Sequence, residues 1–222
     1  MFLNSVANHL HNTGLPRMQI GTYVYFYTVP VPKVPVTSYL RPYFAPYVRK
    51  DMKQPIYAPM NDIWWRTVNE WASINANVVM REYTGLYVHL RPLADVAAYD
   101  IRALIEAGVL EFTSERLHGG VFETPAFQTT KDYIGIDVAA AEFWIISRLY
   151  WNPQEDVQQL RRYFLRRTFR EASPAMEKFY ALAHEMYYGE ARTSDFEENH
   201  ETIKHAIVLG RDQEFFTHLD EA

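Results

Sequence analysis

The sequence predicts an α/β fold followed by an all-helical region, and three observations carry that expectation. First, apolar runs and a helical pattern alternate between residues 77 and 115, about 30 residues per repeat, the order of parallel strands joined by crossover helices. Second, these runs are nearly continuous in apolar residues, as expected of strands buried on both faces. Third, from residue 137 the pattern is helical throughout. The expected division is a partial β/α region over 1–120 and an α-helical region over 121–222. The boundary falls in the loop 116–136, which carries Gly119, Gly120 and Pro125.

The opening "MFLNSVANHLHNTG" reads as an amphipathic helix, with Phe2, Leu3, Val6, Ala7 and Leu10 at helical spacing. It lacks the basic n-region and cleavage site of a signal peptide. A strand is expected within 17–29, rich in β-branched and aromatic residues, then a stiff loop with three prolines. Residues 38–48 read as a strand that Pro42 and Pro46 weaken. Asn61 is placed to cap a helix carrying Ile63, Trp64, Val68 and Trp71 near one face. A strand over 77–83 follows, then a helix over 92–108 with Pro92 at its start and Gly108 at its C-cap, then a strand over 109–115. Three helices come next, two of them opened by Asn152-Pro153 and Ser173-Pro174, with Gly189 as a stop and a weaker helix over 195–210.

Composition narrows the function classes. The 222 residues are 48% hydrophobic and 22% charged, as in a globular protein. A net charge of -5 argues against nucleic acid as a partner, because phosphate binding needs a basic surface. There is no cysteine, which removes disulfides and thiolate catalysis. No apolar run is long enough for a membrane-spanning helix. The eight histidines include no i, i+4 pair with the glutamate of a zinc helix, so no metal is assigned. "HGGVFETP" lacks the lysine of a phosphate loop, no G-x-S-x-G elbow occurs, and no cofactor is expected. Aromatic residues reach 15%, with 16 Tyr and 5 Trp, which suits core edges, interfaces and sugar-binding clefts alike.

Several segments together resemble a known family. "ISRLYWNPQEDVQQLRRYFLRRTF" (146–169), "IGTYVYFYTVPVPKV", "APMNDIWWRTVNEWASINANVVMREYTG" and "LADVAAYDIRALIEAGVLEF" are similar to the bacterial domain-of-unknown-function family numbered 4838. The resemblance covers most of residues 15–190. It implies a glycoside-hydrolase-like protein related to the α-glucuronidase and hexosaminidase clans, exported to the periplasm or beyond and engaged in polysaccharide breakdown. The implied fold is the C-terminal part of a (β/α)8 TIM-type barrel followed by an α-helical extension. A whole barrel needs about 250 residues, so about four strands are expected here. Self-association, or packing against a missing N-terminal half of the barrel, would then cover the open sheet edge.

On that fold, Glu82 and Glu115 end consecutive strands at the barrel mouth, where ligands bind. Two carboxylates serve glycoside hydrolysis as acid and as nucleophile or base, or they hold sugar hydroxyls without catalysis. A loop salt bridge with Arg81, Arg91 or Arg116 is the structural alternative. Strand parity puts Val78, Met80 and Glu82 on one face and Val79, Arg81 and Tyr83 on the other. It likewise groups Glu111, Thr113 and Glu115, leaving Leu110 and Phe112 for the helix layer. Tyr25, Tyr27 and Tyr83 lie near strand ends, within reach of sugar hydroxyls. Of the adjacent Trp64 and Trp65, one is expected to face solvent or ligand, while Trp144 and Trp151 are expected in the core. Asn61 is a cap or a ligand contact. The function expected is a carbohydrate-active protein contributing one side of a saccharide site; the alternatives are a non-catalytic carbohydrate-binding or assembly module and a helical interaction protein.

Overall fold

The computed structural model describes residues 2–15, 18–46, 52–85, 91–116, 134–189, 206 and 209–222. The chain is a mixed α/β protein with a four-stranded parallel sheet and helices. It divides into two units, one of Met1–Arg49, Ile56–Tyr83 and Arg102–Glu115, the other of Lys50–Pro55, Thr84–Ile101 and Arg116–Ala222.

In the first unit, α1 (Phe2–Asn12) precedes β1 (Ile20–Val24) and β2 (Leu40–Phe44), then α2 (Asp62–Ile74), β3 (Val79–Gly85), the end of α3 (Ala94–Glu106) and β4 (Glu111–Arg116). The strands lie in the order β1-β2-β3-β4. Register runs Val24↔Phe44 and Phe44↔Met80. Their side chains meet Val68 and Trp71 of α2 and Leu104 of α3 in one buried cluster, and Val31 and Val36 of the β1–β2 connection pack on it. All three crossovers therefore cover the same face of the sheet. Right-handed crossovers require this when the strand order never reverses.

Local chemistry fixes the connections. Gly108 has φ +90, the Gly108 N–H bonds to Ile105 O and the Val109 N–H to Leu104 O, a Schellman stop whose flanking pair, Leu104 and Val109, is buried together. Asn75, buried after α2, donates to Thr37 O and Leu40 O and accepts from the Asn77 N–H, tying the α2–β3 turn to the entry of β2. The Trp71 indole N–H donates to Val29 O at 2.8 Å, holding the proline-rich connection over the core.

Pro42 sits in an interior strand, where a missing N–H normally breaks the ladder. Here the ladder does not need it. The Ile20 N–H bonds to Tyr39 O and the Ala45 N–H to Val24 O, so the odd residues of β2 turn toward β1 and the even ones toward β3. β3 pairs with β2 only from Tyr43↔Val79, beyond Pro42.

The second unit holds α4 (Ile134–Trp151), α5 (Val157–Phe169), α6 (Ser173–Tyr188) and α7 (Asp212–Asp220). Its core gathers Ala141, Leu165, Phe179, Tyr180, Met186 and Phe215, with Phe179 and Phe215 edge to face at 5.3 Å.

Some expectations need correction. β1 buries only Val24 and β2 alternate residues, whereas Val78, Val79 and Met80 are buried in succession, as expected for that run. α1 forms where expected, but Phe2 and Leu3 are exposed and only Ala7 is buried; Asn4, bonded to Pro35 O and the Thr37 N–H, docks it. The N-cap of α5 is Asp156, which accepts from the Gln159 N–H, and Asn152 instead closes a turn onto the Gln154 N–H. Leu110 is exposed, ahead of the strand. Most of the expected helix 195–210 lies outside the described residues, and α7 begins after it.

Candidate functional site

The face of the sheet turned away from α2 and α3 has its own chemistry. Parity and register put Gly21, Tyr23, Arg41, Tyr43, Val79, Arg81 and Tyr83 on it. The Arg41 guanidinium pairs with Glu111, which brings β4 onto the same face. Tyr23 and Tyr43 lie 5.9 Å apart between centroids, tilted by 45°. Arg81 stands 5.2 Å over the Tyr23 ring and Arg41 5.9 Å from that of Tyr43. Gly21 makes room: a Cβ there would meet the Tyr43 ring at 3.0 Å. On the same face Val79 and Tyr83 are buried, while Tyr23 is 56% exposed. A parallel sheet usually buries both faces in apolar packing. This one presents two tyrosines, two arginines and a carboxylate, a surface made for hydrogen bonding and ring stacking.

The turn after β1 adds aromatic surface at the strand's C-terminal end. Phe26 adopts φ +47, a left-handed conformation that costs a non-glycine residue on the order of 1 kcal/mol. The Thr28 hydroxyl holds it there, accepting from the Tyr25 N–H and lying 2.9 Å from Tyr23 O. Tyr25 is half-buried against Phe26 at 4.1 Å, and Tyr27 is fully exposed.

The residues singled out from the sequence are dispersed. Tyr23, Arg41, Tyr43 and Glu111 lie outside the site expected from the sequence, although the Ile-Gly-Thr-Tyr-Val alternation of β1 carries the signal. Glu82 is half-buried on the Met80 side of β3, the side that carries the core, whereas Tyr83 is on the other. Glu115 lies in β4, and its side chain is outside the described residues. Trp64 and Trp65 both pack on the core, edge to face with Phe44 and Tyr57 at 6.1 Å each, so neither is given over to solvent. Consecutive helix positions differ by about 100°, and a wide apolar stripe accommodates both. Asn61 occupies the N-cap position of α2, but its side chain makes no capping bond and is fully buried. Trp144 is half-buried, and Trp151, expected in the core, is 90% exposed because it is the last residue of α4.

The helical unit concentrates charge in its interior. The buried Glu142 carboxylate receives the Ala94 N–H at 2.9 Å, so it caps α3, and Arg161 Nε at 3.0 Å. Arg161 also donates to Asp95 at 2.7 Å, and Gln158 does so at 2.9 Å. His184 lies 3.5 Å from the same carboxylate. Burial pushes Glu142 above the usual carboxylate range against the pull of Arg161. Burial acts likewise on Asp95, but the His184 hydrogen bond and the Arg161 charge outweigh it and hold that carboxyl low. Burial would lower Arg161, yet Glu142 and Asp95 keep it raised. These groups satisfy one another, which makes them structural. Among the described residues no group of three His, Asp or Glu side chains could hold a metal ion. No described helix is long and apolar enough to cross a membrane.

Sheet and helices define an α/β protein with crossovers on one face of a parallel sheet and a polar, aromatic opposite face. A family model described as a domain of unknown function (DUF4838) matches residues 1–181, and the chain belongs to that family. No curated protein and no solved structure matches it.

Proposed function

We propose that the sheet unit is the C-terminal part of a (β/α)8-type barrel, glycoside-hydrolase-like in kind, and that its polar face forms one side of a saccharide site. The observation that carries this reading is the winding. Four parallel strands in unbroken order with every crossover on one face is the pattern of a barrel, whereas a doubly wound sheet reverses its order at a switch point. On that reading the face with Tyr23, Tyr43, Arg81 and the Arg41–Glu111 pair looks inward. Tyrosine rings stack on the C–H faces of sugars, and the charged groups take hydroxyls.

The geometry favours holding a saccharide over cleaving it. Hydrolysis calls for two carboxylates, commonly about 5–10 Å apart. Glu111 is already engaged by Arg41, and Glu82 shares the core-bearing side of β3. A second copy, or a further stretch of polypeptide, would cover the sheet edge, and the molar mass in solution distinguishes the two. The function itself is tested by titrating the chain with neutral and acidic hexasaccharides while following tyrosine and arginine side-chain resonances. Saturable shifts at Tyr23 and Arg81, lost in Tyr23→Ala and Arg81→Ala, support the site. Unchanged spectra with every saccharide refute it.

A further inference from the structure

The segment "RLYWNPQED", part of the stretch 146–169 that carries the family resemblance, has no role in the sheet site. It forms the corner between α4 and α5. There it borders an open cleft of about 730 Å³ whose lining includes Trp144, Arg148, Asn152, Gln154, Gln159 and Tyr163. One wall is aromatic: Trp144 and Tyr163 are stacked at 5.8 Å and 18°, and Tyr163 is 56% exposed. Trp151, 90% exposed, follows Trp144 and Arg148 at the i, i+4, i+7 spacing of a single helix face. Truncating an exposed tryptophan removes nothing from a core, so packing gives no account of Trp151.

The polar wall defines the chemistry. Arg148 is held bidentately by Glu155, Nη2 to Oε1 at 2.5 Å and Nε to Oε2 at 3.2 Å, so its charge is offset and its position fixed. Asp156 spends its carboxylate on the α5 cap. What remains are the side-chain amides of Gln154 and Gln159, the amide nitrogen of Asn152 and the Tyr163 hydroxyl; among the described residues none of these has a hydrogen-bond partner. Amides and hydroxyls both donate and accept, and so do the hydroxyls of a neutral sugar. An anion would find the one guanidinium already neutralised. A purely apolar ligand would strand the amides.

We infer that this corner is a second saccharide-binding site, one that takes a neutral oligosaccharide on the Trp144–Tyr163 wall and Trp151 and reads its hydroxyls with Asn152, Gln154 and Gln159. It rests on the carbohydrate reading of the sheet, and it would anchor a polymeric chain away from the sheet face. The site is tested on the full chain with neutral hexasaccharides of glucose, xylose, mannose or galactose, following the indole N–H resonances of Trp144 and Trp151. The expected result is saturable shifts with at least one of them and at least a tenfold loss of affinity in Trp151→Ala and in Gln154→Ala. Tyr23→Ala leaves these shifts in place. Gln154 is exposed, so its substitution keeps the test valid if Trp151→Ala folds poorly. Indole resonances unmoved by all four saccharides overturn the inference even if Tyr23 and Arg81 respond, and indole shifts that vanish in Tyr23→Ala do the same by showing a single site. Indole shifts with a silent sheet face leave the corner site standing and remove the sheet site instead.

Discussion

The two units handle charge in opposite ways. The helical unit buries Glu142 and Arg161 and closes them on Asp95, His184 and the start of α3, so that each charge has a partner inside the protein. The sheet unit spreads Arg41, Arg81 and Glu111 beside two tyrosines on a partly exposed face. Burying an ion costs several kcal/mol, and a network that meets this cost completely has little left to offer a ligand. Groups at a partly wet face keep hydrogen-bonding capacity. The contrast separates a structural cluster from a binding surface even though both consist of arginine, carboxylate and aromatic residues.

The sharpest way to break this comparison is Arg161→Met. It leaves Glu142 buried without its cation and should cost about 3–5 kcal/mol in urea-monitored unfolding. Adding Glu142→Leu should recover part of the loss, because the apolar pair carries no desolvation cost while the Ala94 N–H loses its acceptor. A single-variant loss below about 1 kcal/mol would mean the network is not structural.

A smaller effect follows from acid. Asp95 has a folded-state pKa below its unfolded value, near 3.9, so its contribution is complete above that value and is lost as pH falls through the folded one. Glu142 is raised and has the opposite sign: its ionisation in the fold is disfavoured, so it lowers stability as pH climbs from about 4.3 toward its folded value. The acid limb of the stability profile therefore carries a contribution from Asp95, beside those of the exposed Glu214 and Glu221, which hydrogen bonds from Arg211 and Lys178 also hold low. It should flatten in Asp95→Asn, and an unchanged limb would move the assignment elsewhere.

The smallest effects are expected on the sheet. Tyr23→Ala and Arg81→Ala should each change stability by no more than about 0.5 kcal/mol, and breaking Arg41–Glu111 by less than about 1 kcal/mol, as exposed substitutions and ion pairs do. Losses of core size at these positions in thermal unfolding would make this face structural and take away the reason to expect a ligand there.

The sequence by itself determined the elements. Turn chemistry and periodicity are local, so the strands around 20, 40, 80 and 112 and the helices after 62, 94, 134, 157 and 173 were legible within a few residues. The glycine stop at Gly108 was legible for the same reason. Where a partner lies far along the chain, local reading fails. Pro92 pointed to the helix start, yet the helix begins at Ala94, where a carboxylate 48 residues away receives its first N–H. The site required tertiary structure most of all. Parity sorts a strand into two faces but does not say which face the helices cover, and strand order with crossover handedness decides that. It put the helices on the Met80 side of β3, which Glu82 shares by parity, and brought Tyr23, Arg41, Tyr43, Arg81 and Glu111, from four strands, onto one surface.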